Sequence, residues 1–156
     1  GAKGSRMDIE KVASIAVDCG FKLHARLGPG LLESAYQMVL FESLRRRGLH
    51  VQSEVPIDIR IDDIVIEKAF RIDLLVESRL VLELKSVETT AAVHKKQVLT
   101  YLRLTKLTLG FVMNFGASTF QQGCHRVVNN HKDFASSRLR VSQADAAIPE
   151  IQGNNQ

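Results

Sequence analysis

Asp73, Glu83 and Lys85 are the residues of this 156-residue chain whose types and spacing could do chemistry. Asp73 stands inside Phe70-Arg71-Ile72-Asp73-Leu74-Leu75-Val76, and the other two inside Val81-Leu82-Glu83-Leu84-Lys85. Both apolar runs read as adjacent buried strands. Because side chains alternate along a strand, Asp73 is predicted to point with Arg71 and Leu75, and Glu83 and Lys85 to share the face opposite Leu82 and Leu84. A carboxylate in such a run needs a cation, a metal or a hydrogen-bond network, since burying it alone costs several kcal/mol or forces it to protonate. A hard divalent cation is one such partner. It takes one or two carboxylates and completes its shell with water and phosphate oxygens. Lys85, about 7 Å beyond Glu83 on the same face, could hold an attacking water or a phosphate oxygen beside that ion. The competing reading makes Glu83 and Lys85 an ion pair on an incompletely covered sheet face, and the tripeptide alone does not decide between them.

Three further positions stand on helices. Glu33 lies three, seven and eleven residues before Tyr36, Leu40 and Leu44, which predicts that it looks inward with the core face. Its alternative is an ordinary helix-start acid, with Gly30 as the N-cap and Glu33 as the third helical residue. His94, Gln97 and Tyr101 are spaced three and seven apart and share one helix face, which could equally meet solvent. His94 by itself reads as a surface or capping residue.

The elements that must position these groups follow from periodicity. Ile9, Val12, Ala16, Cys19, Leu23 and Leu27 predict an amphipathic helix capped by Asp8. Gly28-Pro29-Gly30 breaks it, and a second helix over about Leu31 to Arg47 ends at Gly48. From Val51 the period becomes two. A strand reaches Ile61, Asp62-Asp63 turn it, and Ile64 to Ile66 start a return strand before the runs holding Asp73 and Glu83. Glu88-Thr89-Thr90 offer caps for a helix over Ala91 to Leu104, and Thr108 to Phe115 forms a buried strand that can lie parallel to the Glu83 strand. Gly123 to Val128 adds an edge strand. The predicted order is α-α-β-β-β-β-α-β-β, an α/β domain with helices flanking a mixed sheet.

Composition narrows the class. With 45% hydrophobic and 24% charged residues the chain reads as one globular domain over 8–130, preceded by an appended leader (1–7) and followed by a polar tail (131–156). No run is apolar enough to span a membrane or to form a secretory signal, so a cytoplasmic setting is expected, and Cys19 and Cys124 read as free thiols. A net charge of +4 suits a polyanionic partner, although Arg45-Arg46-Arg47 also suits a helix C-terminus.

Together these residues resemble the PD-(D/E)xK nuclease superfamily, specifically its small GxxExxY proteins. Gly30-Leu31-Leu32-Glu33-Ser34-Ala35-Tyr36 matches the whole signature. Phe70 to Val76 resembles the aromatic-R-x-D-L-L-V strand, Glu83-Leu84-Lys85 the E-L-K, Val93 to Leu102 the V-H-x-x-Q-x-x-x-Y-L helix of the RecB-like branch, and Asn114-Phe115 the N-F. Lys68-Ala69 depart from the glycine and tyrosine expected in relatives. The resemblance implies a restriction-endonuclease-like fold and a nuclease active on nucleic acid, DNA ahead of RNA, with Mg2+ or Mn2+. Asp73 and Glu83 would hold the metal, with Glu33 as a further acid acting on the metal or holding Lys85. Lys85 would assist the attacking water, and Gln97 and Tyr101 would line the site. A catalytically silent nucleic-acid-binding module on the same fold is the alternative. Two copies could also pair through the exposed hairpin near Glu54 to Ile66.

Overall fold

The computed structural model describes residues 6–130. Residues 1–5 and 131–156 lie outside them, and with them most of the expected leader and the expected polar tail. The three-four spacing builds α1 (Ile9–Leu27), with Val12, Ala16, Cys19 and Leu23 buried. Gly28 and Gly30 follow at φ 67° and 114°, in the left-handed region that favours glycine. No atom lies within 4 Å of a Cβ built on either, so conformation rather than space requires glycine there. Helix α2 (Glu33–Arg46) starts two residues later than expected, because Leu32 keeps an extended backbone (φ −70°, ψ 152°) and becomes the N-cap. Gly30 is therefore not the cap and Glu33 is the first helical residue. Tyr36, Leu40 and Leu44 are fully buried, whereas Glu33 is exposed, since the first turn projects beyond the core that its later turns cover.

Five strands form one sheet in the order β1-β2-β3-β4-β5: β1 (Val51–Ile61), β2 (Ile64–Val76), β3 (Leu80–Lys85), β4 (Leu109–Asn114) and β5 (Cys124–Val128). Neighbours are antiparallel except β3 and β4, which run parallel through the crossover helix α3 (Ala92–Thr105). A short helix, α4 (Phe120–Gly123), precedes β5. Two expectations are corrected. The chain from Ile64 to Val76 is one strand rather than two, because Lys68 takes φ 51° inside a bulge and gives its N–H to Asp58 Oδ1 at 2.9 Å instead of turning the chain. The edge strand begins at Cys124 rather than Gly123, because Gly123 ends the short helix α4, capped by Thr119, which accepts the Gln122 N–H.

Helices α1 and α2 cover one sheet face through Leu74, Val76, Leu80, Leu82 and Leu84. The other face packs Val81, Val112 and Val127 against Val98, Tyr101 and Leu102 of α3. Alternation holds along β3, so Glu83 and Lys85 lie on the face away from Leu82 and Leu84. It fails on β2. Phe70, Ile72 and Leu75 all pack on the α3 side while Leu74 and Val76 pack on the other, so the strand changes face at Asp73. Arg71 and Asp73 therefore do not form the simple same-face pair that alternation predicts. On β1, Val51 and Val55 divide in the same way around Glu54, which sits at φ 53°.

Candidate active site

The ladder between β2 and β3 runs from Val76↔Leu80 to Leu74↔Leu82 and stops. The next rung would join Asp73 to Glu83. There Asp73 turns its carboxylate across the gap, and Leu84 donates its backbone N–H to Asp73 Oδ2 at 2.9 Å. The Glu83 side chain, 7% exposed, lies beside Lys85 Nζ, which is 3.9 Å from its Oε2, a loose ion pair. Glu83 Oε1 is buried with no hydrogen-bond partner. Two carboxylates thus meet where a sheet opens, and one retains an unused acceptor.

Their electrostatics are consistent with that geometry. Burial first, then the Asp73 charge, pushes the Glu83 carboxyl up to about 8, against the lowering effects of Lys85 and the Asp73 backbone N–H. Burial also raises Asp73, as do the charges of Glu54 and Glu33, while the Leu84 N–H and Lys85 lower it. Two like charges without a cation share the site at a cost, and a cation would remove it. The donor set fits a hard divalent ion that takes two carboxylates and completes its shell with water and substrate oxygens. Among the described residues no three His, Cys, Asp or Glu side chains form a ready metal-holding cluster.

Two aromatic stacks carry the helices to this site. Phe70 of β2 lies on the ring of Tyr101 at 4.1 Å between centroids and 6° between planes, which fixes α3 against the strand holding Asp73. Burial, followed by the charges of Glu83 and Asp73, pushes the Tyr101 hydroxyl up to about 12, and a hydrogen bond from the Gln97 side chain opposes this. On the opposite face Tyr36 stacks on Phe115 at 4.6 Å and 10°. Gln37 then stitches α2 to the strands, its Nε2 donating to the Asp73 carbonyl at 3.2 Å and to Ser53 Oγ at 3.1 Å.

The chain after Lys85 is held as firmly. Phe115 donates its N–H to the Lys85 carbonyl at 2.8 Å, and Asn114 Oδ1 accepts the N–H groups of Val87 and Gly116, each at 3.0 Å. A Cβ on Gly116 would stand 2.3 Å from the Val87 carbonyl oxygen. Gly116→Ala is expected to lower stability by about 1–3 kcal/mol, the usual range for overpacking, by displacing this loop. Equal urea midpoints for variant and wild type would contradict it.

The structure thus brings Asp73, Glu83, Lys85, Gln97 and Tyr101 to one end of the sheet on the α3 side, while Glu33 is exposed at the start of α2. His94 belongs to the cap, its Nδ1 accepting the Ala91 N–H at 3.2 Å. The basic run at the end of α2 is occupied by ion pairs, Arg47 with Asp18 at 2.7 Å and Arg45 and Arg46 with Glu42. Sequence reasoning missed Glu54 and Gln37. Gln37 follows Tyr36 in the helix and could have been found from its position beside the signature. Glu54 could not, because its place opposite Asp73 depends on the bulge.

A family model described as the PD-(D/E)XK nuclease superfamily matches residues 10–127, more than half of the chain. Neither the curated proteins nor the solved structures gave a match.

Proposed function

Since the chain belongs to the PD-(D/E)XK nuclease superfamily and has its restriction-endonuclease-like α/β fold, we propose that it is a metal-dependent phosphodiesterase that hydrolyses nucleic acid. The observation that carries this reading is the buried, unpartnered Oε1 of Glu83 beside a second carboxylate, which an internal ion pair with Lys85 at 3.9 Å leaves unexplained. Asp73 and Glu83 would hold Mg2+ or Mn2+, with Glu33 as the third acid. Bound there, the cation would polarise the phosphoryl oxygen and lower the pKa of its water. Lys85, 20% exposed at the end of β3, orients that water or takes its proton. Tyr101 stays protonated at neutral pH and offers an O–H donor, with Gln97 as its hydrogen-bond partner.

The signature around Glu33 and the Gln97/Tyr101 helix support assignment to the GxxExxY proteins and the RecB-like branch, with DNA ahead of RNA as substrate. Ile64, Val65 and Ile66 at the hairpin tip, 45–51% exposed, are the apolar surface through which two copies could pair. The direct test incubates the protein with single-stranded and duplex DNA and RNA in Mg2+ or Mn2+. Cleavage that chelator abolishes is expected. Failure to cut any of the four polymers would remove the proposal.

A further inference from the structure

We infer that Tyr36 is a positioning residue for the site, acting through Glu33. The inference rests on the reading of Glu33 as the third acid of the Asp73/Glu83 pair. Its basis is a loop held from both sides. The Tyr36 side chain is fully buried against Phe115, which fixes the ring, and its hydroxyl reaches back to the loop that precedes its own helix. There it donates to the Gly28 carbonyl and accepts the Leu31 N–H at 3.2 Å. One oxygen atom thereby joins the two ends of the turn made by Gly28 and Gly30. From the other side Ser86, the residue after Lys85, donates its hydroxyl to the Leu31 carbonyl at 2.6 Å. Both backbone polar groups of Leu31 are therefore occupied by side chains.

Leu32 follows as the N-cap, its carbonyl accepting the N–H groups of Ala35 and Tyr36 at 3.1 and 3.4 Å, and Glu33 is the first helical residue. Glu33 has no packing of its own to place it, since it is exposed. Its backbone position is set by the braced turn before it and the helix after it. The Ser86 bond couples the same turn to the end of β3, so the brace links Glu33 to the strand that carries Glu83 and Lys85. A side chain in this place orients a metal site without touching the ion.

Manganese binding, read by calorimetry in the absence of nucleic acid, tests this. The proteins are wild type, Tyr36→Phe, Glu33→Gln and the double variant, with Ser86→Ala as a milder cut in the same brace. Tyr36→Phe keeps the ring on Phe115, and a thermal melt checks that it folds. The expected result is about tenfold weaker Mn2+ binding in Tyr36→Phe, with a smaller loss in Ser86→Ala. In the Glu33→Gln background the Tyr36→Phe change is expected to have no further effect, because its route to the ion has gone. Additive losses in the double variant, or Tyr36→Phe binding as tightly as wild type, would overturn the inference. Absence of Mn2+ binding in the wild type would instead bring down the proposed function on which it rests.

Discussion

Lys85→Ala is expected to lower metal-dependent cleavage by about 10²–10⁴-fold, the usual contribution of a positioned proton-transfer group, while binding Mn2+ at least as tightly as wild type. The two halves of this expectation come from one geometry. Lys85 Nζ lies 3.9 Å from Glu83 Oε2 and is one of the positive influences that hold the carboxyl pair down. Removing it takes a competing cation from the carboxylates and leaves the ion's ligands in place. It also removes the group proposed to orient the attacking water or take its proton. Lys85→Arg separates charge from proton transfer, because a guanidinium stays protonated. Cleavage restored by arginine would assign Lys85 to orientation of the water. Weakened Mn2+ binding in Lys85→Ala would count against the residue's proposed place beside the ion.

The second large effect is on stability. In the absence of divalent cation, wild-type protein is expected to lose stability as pH rises from about 4.5 to about 8, and Glu83→Gln to remove most of that slope. The folded state holds the Glu83 proton up to about 8, against 4.5 for the ordinary carboxyl. Between those values it binds more protons than the unfolded chain, so stability falls with rising pH and the loss is complete above the folded-state value. Asp73 is raised as well and adds a slope of the same sign. Across the window the Glu83 effect is on the order of a few kcal/mol, a large share of a small domain's total stability. Glu83→Gln carries no charge and should be the more stable protein at pH 8 in chelator. Adding Mn2+ is expected to reverse the order, stabilising wild type by mass action and leaving the variant little changed. Urea midpoints at pH 5, 6.5 and 8, with Mn2+ and with chelator, read both effects. Parallel pH profiles for the two proteins would sink the account of Glu83.

Much of this site was open to sequence reading because its residues break local rules. An acid two residues before a lysine in a strand of leucines, and a second acid in the preceding run, conflict with burial wherever the strands are placed. The packing of β3 agrees: Leu82 and Leu84 lie in the core beneath α1 and α2, and Glu83 and Lys85 on the other face. Gln97 and Tyr101 were likewise legible, since residues four apart on a helix share a face. Glu33 was misread in burial. Helical periodicity assigns a face, but at the first residue of a helix there is no core left for that face to meet.

Apart from the division of β2 and the short helix α4, the sequence by itself therefore determined the element types, the α/β class and the identity of the acids and lysine, because periods of 2 and 3.6 and the cost of buried charge are local properties. Tertiary structure decided their juxtaposition. Followed unbroken from Ile61↔Ile64, the hairpin register would set Glu54 opposite Arg71. The shift between Ile57 and Ile59 moves it opposite Asp73, where both strands change face. The open rung between Asp73 and Glu83 depends likewise on where the β2–β3 ladder ends. The brace on Glu33 joins Tyr36 to Gly28 and Leu31, and Ser86 to Leu31 across 55 positions of chain. A bulge, a ladder's end and a long-range hydrogen bond depend on the balance of many distant contacts, which no local pattern records.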